Sequence, residues 1–465
     1  MLSDFLAQAI RRELPFEPTA GQQVCIEALG RFCAAQNDVR RLFLLRGYAG
    51  TGKTSVVSAL VRAMRRMERD VVLLAPTGRA AKVFANYSGM SAYSIHKQIY
   101  RQKSVNEFVF ALGFNKLKDA IFIVDEASMI GNSSDGSIFG SGRLLDDLVQ
   151  YVYSGTQCSM VLVGDTAQLL PIGQNDAPAL NADNMCGYGL LVDECELSEV
   201  VRQATESGIL YNATMIRRCI ENGNLPHLDT HFADVERITS DELIDSIETA
   251  YRAVGVENTI IITRSNKRAN LYNNGVRAQV LQREDELSTG DLLMVTRNNY
   301  FWGRAYERLD FIANGDTAEV VRIGRYHELY GCRFVDATLR LAEHDMEIDA
   351  RLLLDSLHTA MPADTVQLTR RLTDAVAEDY ADIGSKRERY IKMRENPYLN
   401  ALQIKFAYAV TCHKAQGGQW KYVFVDQALF SDEQLTPEFY QWLYTAFTRE
   451  QTKIYLVNFF DKLFI

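Results

Sequence analysis

A run of eight residues at positions 47–54, GYAGTGKT, matches the pattern GxxxxGK[ST] of a phosphate-binding loop in full. The run follows the apolar segment RLFLLR and precedes a stretch with helical periodicity, which is the context that this loop requires. Lys53 is expected to neutralise the β- and γ-phosphates of ATP, and Thr54 to be a ligand of Mg²⁺. Backbone N–H groups of the loop are expected to surround the phosphate oxygens, at Gly47, Gly50, Thr51 and Gly52.

Two carboxylates, Asp125 and Glu126, come directly after the apolar run AIFIV. The carboxyl end of a parallel strand lies beside the phosphate loop in folds of this kind. We therefore expect Asp125 to hold Mg²⁺ through water and Glu126 to orient and deprotonate the attacking water. The loop and the acidic pair together predict an NTPase, but they do not reveal what the hydrolysis drives.

A third polar run, GDTAQLLP at 164–171, follows another apolar strand-like segment. A glutamine close to the γ-phosphate, here Gln168, can sense the nucleotide and couple it to neighbouring elements. Taken alone, the run is better explained as an ordinary turn at the end of a strand, and only its context favours nucleotide sensing.

The elements that must position these residues follow from the hydrophobic pattern. In the first 205 residues the apolar runs RLFLLRG, DVVLLAPT, AIFIVDEA and SMVLVGD alternate with amphipathic helical stretches. Such runs are typical of strands buried on both faces of a parallel sheet, so this part predicts a doubly wound α/β domain. The polar stretch at about 98–118 is an insertion, for which a short hairpin and a surface loop are equally good interpretations.

A second set of apolar runs, NTIIITRS, KFAYAVT, YVFVDQ and KIYLVNF, begins near residue 258. It predicts a second α/β domain made of residues 206–285 and 401–465. Residues 286–400 have a different texture, with antiparallel-looking strands, Gly and Asn turns and the charged helical segment KRERYIKMRENP. They predict a small β-rich module inserted into the second α/β domain.

Composition limits the class of protein. The 465 residues are 47% hydrophobic and 23% charged, as in a globular protein of two to four domains. No run approaches the roughly 20 apolar residues of a membrane span. The eight cysteines are scattered without a CxxC pair, which argues against a zinc site or disulfide framework and predicts a reducing cytoplasm. The net charge of −9 is weak evidence against nucleic-acid binding, because a channel needs basic residues only along its length.

Ten motifs, taken in order, resemble those of the superfamily 1 helicases, and within them the RecD and Dda group, superfamily 1B. They are PTAGQ (18–22), GYAGTGKT (47–54), APTGRAAK (75–82), SIHK (94–97), VDEASM (124–129), GDTAQLLPIG (164–173), LSEVVRQ (197–203), TRSNKRAN (263–270), AVTCHKAQGGQW (409–420) and YTAFTRE (444–450). Several are weak alone, but ten in this order are specific and extend over nearly the whole chain. The resemblance implies two RecA-like domains, an SH3-like module inserted in the second and a hairpin insertion in the first. Leu170 and the ending of YTAFTRE depart from the usual pattern.

The resemblance also implies further contacts with ATP. Gln22 matches the glutamine that recognises adenine, and Gln416 and Gly417 fall in a motif that contacts the nucleotide. Arg202 and Arg449 match two arginines that reach the γ-phosphate from the cleft between the domains. Cations are needed there because charge spreads over the phosphoryl group as it is transferred.

For nucleic acid, the resemblance implies contacts suited to tracking phosphates without sequence preference. The residues are Thr77, His96, Asn298, Thr411, His413 and Lys414. The expected partners are single-stranded DNA and tailed duplex DNA, with 5′→3′ polarity and the hairpin candidate as the wedge that splits the duplex. A structural role remains the alternative for His96 and His413.

Three other functions remain open. The motor could act on RNA or RNA–DNA hybrids, since no residue set that recognises the 2′-hydroxyl is evident. It could be the motor subunit of a nuclease complex, with the nuclease in a partner. A nucleotide switch without translocation is disfavoured by Glu126 and the two arginines. The ATPase rate with and without single-stranded DNA tests for such a switch, whereas protein partners and oligomeric state stay open.

Overall fold

Parallel sheets and a barrel organise the part of the chain that the structure describes. The structure is a computed structural model, and it describes residues 2–35, 39–104, 107–132, 139–171, 173–174, 176–200, 207–306, 309, 311–342, 344–359, 361–428 and 431–465.

The strands are numbered in chain order. They are β1 (Arg41–Gly47), β2 (Val71–Ala75), β3 (Ala92–Ser94), β4 (Tyr100–Ser104), β5 (Glu107–Leu112), β6 (Ile121–Val124), β7 (Ser159–Gly164), β8 (Leu191–Leu197), β9 (Val235–Ile238), β10 (Thr259–Thr263), β11 (Leu292–Val295), β12 (Thr317–Leu329), β13 (Cys332–Leu341), β14 (Met346–Leu353), β15 (Leu402–Phe406), β16 (Ala409–Thr411), β17 (Trp420–Asp426) and β18 (Glu450–Val457).

The α-helices are numbered in the same way. They are α1 (Leu2–Arg12), α2 (Ala20–Ala34), α3 (Lys53–Arg66), α4 (Gly78–Ser88), α5 (Ile95–Ile99), α6 (Leu144–Ser154), α7 (Ala182–Gly187), α8 (Gly208–Asn222), α9 (Leu243–Val254), α10 (Asn266–Gly275), α11 (Pro362–Glu378), α12 (Lys386–Arg394), α13 (Cys412–Ala415) and α14 (Pro437–Phe447). Within the described ranges, none of the helices combines the length and apolarity needed to cross a bilayer.

The first sheet is parallel throughout, with the strand order β3-β2-β6-β7-β1-β8. Strands β6 and β7 are buried along their whole length, because helices cover both faces of the sheet. The second sheet is also parallel, in the order β16-β10-β17-β18-β9. The prediction of two RecA-like α/β domains is confirmed.

A closed barrel of β11, β12, β13, β14 and β15 forms the module within the second α/β domain, with α11 and α12 between β14 and β15. The predicted module ended at residue 400, but the strand that closes the barrel, Leu402–Phe406, lies beyond that point. The run KFAYAVT, interpreted as one strand of the second sheet, is in fact shared between the barrel and β16. An apolar run shows burial but not the sheet to which each residue belongs, so this boundary was hidden in the sequence.

Strands β4 and β5 pair as an antiparallel hairpin, which confirms the predicted hairpin insertion over the alternative of a loop. The base of the hairpin packs on the barrel module through aromatic rings. Phe110 lies 4.7 Å from Tyr300 and 5.0 Å from Phe139, measured between ring centroids, and Tyr300 lies 5.3 Å from Phe311. The hairpin therefore belongs to the first domain by chain connectivity but leans on the barrel.

Helix α1 crosses α2 at Gly30, and this contact allows a test of the fold. An alanine Cβ at position 30 would lie 2.6 Å from the carbonyl oxygen of Ser3 and 2.9 Å from the Cβ of Ala7. We expect Gly30→Ala to destabilise the protein by about 1–3 kcal/mol, because α1 must move away. The matched control is Gly275→Ala, where no atom lies within 4 Å and the backbone is right-handed helical. It should be neutral or slightly stabilising. Thermal unfolding of the two variants measures the difference, and similar melting temperatures would contradict the packing described here.

Candidate functional site

The phosphate loop connects β1 to α3. Gly52 has a left-handed backbone, with φ of +84°, which glycine adopts without steric cost, and α3 begins at the next residue. The ammonium group of Lys53 donates to the carbonyl oxygens of Gly47 at 2.5 Å and Tyr48 at 2.9 Å. The lysine thus crosses the mouth of the loop, where a cation can meet phosphate oxygens.

Gln22 lies behind the loop and is fully buried. Its side-chain amide donates to the carbonyl oxygen of Thr51 at 3.0 Å, and its carbonyl oxygen accepts from the backbone N–H of Thr19 at 3.0 Å. In this arrangement Gln22 joins the first turn of α2 to the phosphate loop. Recognition of adenine by Gln22 stays a prediction.

Asp125 and Glu126 follow β6 and face the loop. Asp125 accepts hydrogen bonds from the Tyr87 hydroxyl and, at 2.9 Å, from the backbone N–H of Glu126. Burial, followed by the neighbouring charge of Glu126, raises the pKa of Asp125 to about 6. A buried carboxylate of this kind gains from a nearby cation, which suits the predicted metal ligand.

Arg449 follows α14 and reaches the first domain from the second. Its Nη1 lies 3.5 Å from Oε1 of Glu126, while its Nε donates to the carbonyl oxygen of Thr445 at 3.1 Å and its Nη2 to the Thr448 hydroxyl at 2.9 Å. The arginine is only 3% exposed, so its orientation is fixed by these contacts. Arg202, the other predicted arginine, lies outside the described residues.

A cavity of about 540 Å³ lies between the two domains at this point, within the size range of small-molecule sites. Nine of the predicted nucleotide-site residues line it, namely Gly50, Gly52, Lys53, Thr54, Asp125, Glu126, Gln168, Gly417 and Arg449. Four others, Gln22, Gly47, Thr51 and Gln416, are not among its lining residues. The oxygen of the Gln168 side-chain amide is buried and has no hydrogen-bond partner among the described residues.

Tyr444 is a site residue that the sequence reasoning missed, although it is the first residue of the last motif. Its hydroxyl accepts from the backbone N–H of Ala49 in the phosphate loop at 2.8 Å and donates to Asp165 at 2.7 Å. Asp165 in turn lies 3.9 Å from the Lys53 ammonium, and burial raises its pKa. A single phenol from the second domain therefore touches two nucleotide motifs of the first.

The residues that follow Asp165 are also bonded to the second domain. The backbone N–H of Leu169 donates to the Thr445 hydroxyl at 2.8 Å, and its carbonyl oxygen accepts from the Gln416 amide at 3.0 Å. A Cβ added at Gly417 would lie 2.6 Å from the Cβ of Ala80, so the domains also touch at α4. Gln416 thus lies on the seam between the domains rather than on the cavity wall.

Glu450 is another lining residue of the cavity that the sequence analysis noted only as a departure from the motif. One of its carboxylate oxygens is buried without a hydrogen-bond partner among the described residues. Burial raises the pKa of Glu450 well above its usual range. Local sequence carries no signal for this, because the burial comes from the assembled cleft.

The predicted DNA-contact residues lie at the carboxyl ends of strands. Thr77 follows β2 and caps α4, accepting from the Ala80 N–H at 3.1 Å. His96 follows β3, the parallel neighbour of β2, so the two lie side by side. Thr411 precedes α13, which carries an exposed His413 and a partly buried Lys414. These residues form one edge that spans both sheets.

His96 itself packs among aromatic rings. Its ring lies 4.8 Å from Phe139 and 5.6 Å from Tyr100, and burial lowers the pKa of His96 to about 4. This is the geometry of a neutral structural histidine, and a DNA contact by His96 stays a prediction. Asn298 lies in the barrel module, where its side chain accepts from the Asn314 N–H at 2.6 Å.

Lys405, on β15, adds a cation that the sequence did not single out. Its ammonium bonds to the carbonyl oxygen of Thr359 and the side chain of Asn270. Burial, and then the positive charge of Lys414, lower the pKa of Lys405 to about 8. Lys414 therefore adds to the positive charge around Lys405, which the charge of Asp364 partly offsets.

Comparison with known proteins shows which helicases the chain resembles. The model of an AAA domain matches residues 27–219, and that of a UvrD-like helicase C-terminal domain matches residues 406–457. Over 177 residues the chain is 29% identical to the ATP-dependent RecD2 DNA helicase of Deinococcus radiodurans, and over 274 residues 23% identical to the ATP-dependent DNA helicase dda of Enterobacteria phage T4. The chain is therefore similar to superfamily 1B helicases of the RecD and Dda group.

The matches with these relatives are partial. They cover 37% of this chain and 21% of RecD2, and 54% of this chain and 55% of dda. A solved structure of Pif1 helicases at forked double-stranded DNA superposes with a TM-score of 0.50 at 15% identity, covering 97% of this chain and 94% of that one. This likeness shows that the fold is that of a helicase. The chain is an ATP-dependent helicase.

The role of Tyr444 in this helicase can be tested with Tyr444→Phe. The change removes the partner of the Ala49 N–H and the hydroxyl donor to Oδ2 of the buried Asp165, and each group left unsatisfied costs about 1–3 kcal/mol. We expect kcat for ATP hydrolysis to fall by about tenfold, because the phosphate loop and the 165–169 segment lose their shared contact. Tyr440→Phe is the matched control, since Tyr440 lies buried on the same helix and its hydroxyl bonds to no described residue. Equal rates for the two variants would remove Tyr444 from the site.

Proposed function

We propose that this helicase couples ATP hydrolysis to 5′→3′ translocation on single-stranded DNA and thereby unwinds tailed duplex DNA. The observation that carries the proposal is the cavity lined from both RecA-like domains, with Lys53 and Glu126 on one side and Arg449 on the other. A nucleotide bound there interacts with both domains at once. Its hydrolysis then changes the free energy of domain closure.

In the proposed chemistry, Lys53 binds the β- and γ-phosphates and Arg449 stabilises the charge that develops on the phosphoryl group. Glu126 now lies 3.5 Å from Arg449. An entering γ-phosphate offers the guanidinium a more highly charged partner, which frees the Glu126 carboxylate to orient and deprotonate a water. Arg202 is proposed as the second arginine from the family resemblance alone.

Thr54 and Asp125 fit a resident Mg²⁺. The two offer a hydroxyl and a carboxylate, the hard oxygen ligands that Mg²⁺ prefers, and both line the cavity. Burial and the charge of Glu126 raise the pKa of Asp125 although Lys53 acts to lower it, so a bound cation would further stabilise the Asp125 carboxylate. When bound, Mg²⁺ would neutralise charge on the phosphates, and the residues of the chain would do the positioning.

Coupling between the cleft and the DNA is proposed to run through residues 165–169. Asp165 and Leu169 bond to Tyr444, Thr445 and Gln416 of the second domain, and Gln168 lies between them in the cavity. A change at the γ-phosphate then shifts the second domain against the first. Because Thr77 and the segment 411–414 lie on opposite sides of that seam, their spacing along the strand changes with each cycle.

DNA as the substrate rests on the relatives and on local charge. RecD2 and dda are described as DNA helicases, and Pif1 was solved at forked double-stranded DNA. In this chain Lys405 and Lys414 concentrate positive charge near the proposed track despite the net charge of −9. The 5′→3′ polarity is proposed from the superfamily 1B resemblance.

The roles of the acidic pair separate under matched amide substitutions. Glu126→Gln should bind ATP and Mg²⁺ with little change but hydrolyse ATP about 10²-fold more slowly or worse, because the general base is lost. Asp125→Asn should instead weaken the Mg²⁺ dependence of binding. Equilibrium binding of a fluorescent ATP analogue across a Mg²⁺ titration, with phosphate release measured in parallel, gives both quantities. If Glu126→Gln lost binding while Asp125→Asn retained it, the assignments would be reversed.

The substrate and polarity can be tested on the purified chain. ATPase activity should rise many-fold with single-stranded DNA, and unwinding should require a 5′ tail. Binding should weaken as the salt concentration rises. A plot of the logarithm of the binding constant against the logarithm of the salt concentration should have a slope of about −0.7 per phosphate contact. His413→Ala and Lys414→Ala should lower the DNA stimulation more than the basal rate, whereas Lys421→Ala, an exposed lysine on β17, serves as the control. Stimulation by RNA but not DNA would overturn the substrate, and a requirement for a 3′ tail would overturn the polarity.

A further inference from the structure

A second cavity, of about 590 Å³, lies between the barrel module and the helices α11 and α12. Amide, hydroxyl and arginine side chains dominate its wall. Among the lining residues are Arg297, Asn298, Thr369, Tyr390, Arg394 and Gln403. Its volume falls within the range of sites for small organic ligands. Within the described residues, none of the nucleotide motifs contributes to it.

Gln403, on β15, is the most informative residue of this cavity. It is 7% exposed, and its amide nitrogen donates to the Thr369 hydroxyl at 3.0 Å. The oxygen of its side-chain amide is buried without a hydrogen-bond partner among the described residues. A buried acceptor left unpaired is costly, so a ligand that brings an N–H donor would be stabilised here.

The rim of the cavity carries an aromatic ring and positive charges. Tyr390 on α12 is 57% exposed, and the guanidinium carbon of Arg394 lies 5.0 Å from the centroid of its ring. Arg297 is exposed on the opposite element, in the loop after β11. The rim therefore offers an aromatic face together with two cations.

These features match the parts of one nucleotide. An acceptor inside suits the N–H on a base edge, an aromatic ring suits stacking on a base face, and cations at the rim suit a phosphate. A free phosphate or other small anion would bring its own acceptor oxygens against Gln403, which is unfavourable. The chemistry therefore favours a nucleotide with its base inward.

The position of the cavity relates it to the hairpin. Phe139 and Tyr300 line the cavity, and both belong to the aromatic cluster on which the hairpin base rests. A strand that has just been separated at the hairpin would pass this opening. The cavity is thus close to the place where unpaired bases first become available.

We propose that this cavity binds the base of one unpaired nucleotide of the DNA strand, with Gln403 accepting from the base edge and Tyr390 stacking on its face. The proposal rests on the proposed function, since it requires that the chain bind single-stranded DNA. It adds a base contact to a motor whose other expected contacts are to phosphates. The affinity for the strand should then depend on the presence of a base at one position and not at the others.

An abasic scan tests this proposal. The probe is a fluorescein-labelled duplex with a 5′ oligodeoxythymidylate tail of about 16 nucleotides, whose junction fixes the register of the bound strand, and a series of the same probe carries a single abasic site at successive positions of the tail. Thymine offers its N3–H to Gln403. For the wild-type chain we expect one abasic position to weaken binding by about tenfold, in line with the contribution of one stacked base. Anisotropy titrations measure each Kd.

The variants Gln403→Leu and Tyr390→Ala should bind the intact strand more weakly and lose the penalty at that one position. Tyr326→Ala, at a tyrosine that is 54% exposed on β12 outside the cavity, should retain the wild-type scan. Melting temperatures check that Gln403→Leu still folds. Tyr390→Ala changes a surface residue and tests base binding by the cavity independently. A flat scan for the wild type, or a penalty that both variants retain, overturns the proposal. Failure of the wild type to bind any strand instead overturns the proposed function.

Discussion

Charged groups buried in the seam between the two parallel sheets set the main constraint on this molecule. Asp165 and Arg449 are 1% and 3% exposed, and burying such groups is tolerated only where partners compensate for the lost water. Part of this compensation comes from the opposite domain, as Tyr444 bonds to Asp165 and Arg449 approaches Glu126. The catalytic cleft and the domain interface are therefore one structure, and neither can be altered without changing the other.

This constraint explains why the phosphate loop is held from two directions. From behind, Gln22 bonds to Thr51, and from the cleft, Tyr444 bonds to Ala49. Both contacts use backbone atoms of the loop, so they fix its path without depending on the side chains that meet phosphate. Pre-organised N–H groups lower the cost of ordering the loop when a triphosphate binds.

The sequence predicted those features that are local. The phosphate loop and the acidic pair after an apolar run could be recognised from residues that are adjacent in the sequence. The nearly continuous apolar runs of strands buried on both faces predicted the parallel sheets. Features that depend on distant residues were missed. The bridging role of Tyr444, the buried acceptor of Gln403 and the aromatic surroundings of His96 all arise from contacts between elements far apart in the chain. The division of KFAYAVT between barrel and sheet was missed for a different reason, because both halves are equally buried.

Only Ala407 and Tyr408 separate the last strand of the barrel from β16 of the second sheet, and the Tyr408 hydroxyl is bonded to the buried Asp291 at 2.8 Å. So short a junction leaves the barrel little freedom to change its orientation relative to the second domain. The hairpin, however, is rooted in the first domain and touches the barrel through aromatic rings. Ring contacts have no fixed donor and acceptor, and offset-stacked and edge-to-face arrangements are both favourable, so the rings can change from one arrangement to another without losing contact. The aromatic cluster can therefore support the hairpin from the side in more than one orientation of the barrel.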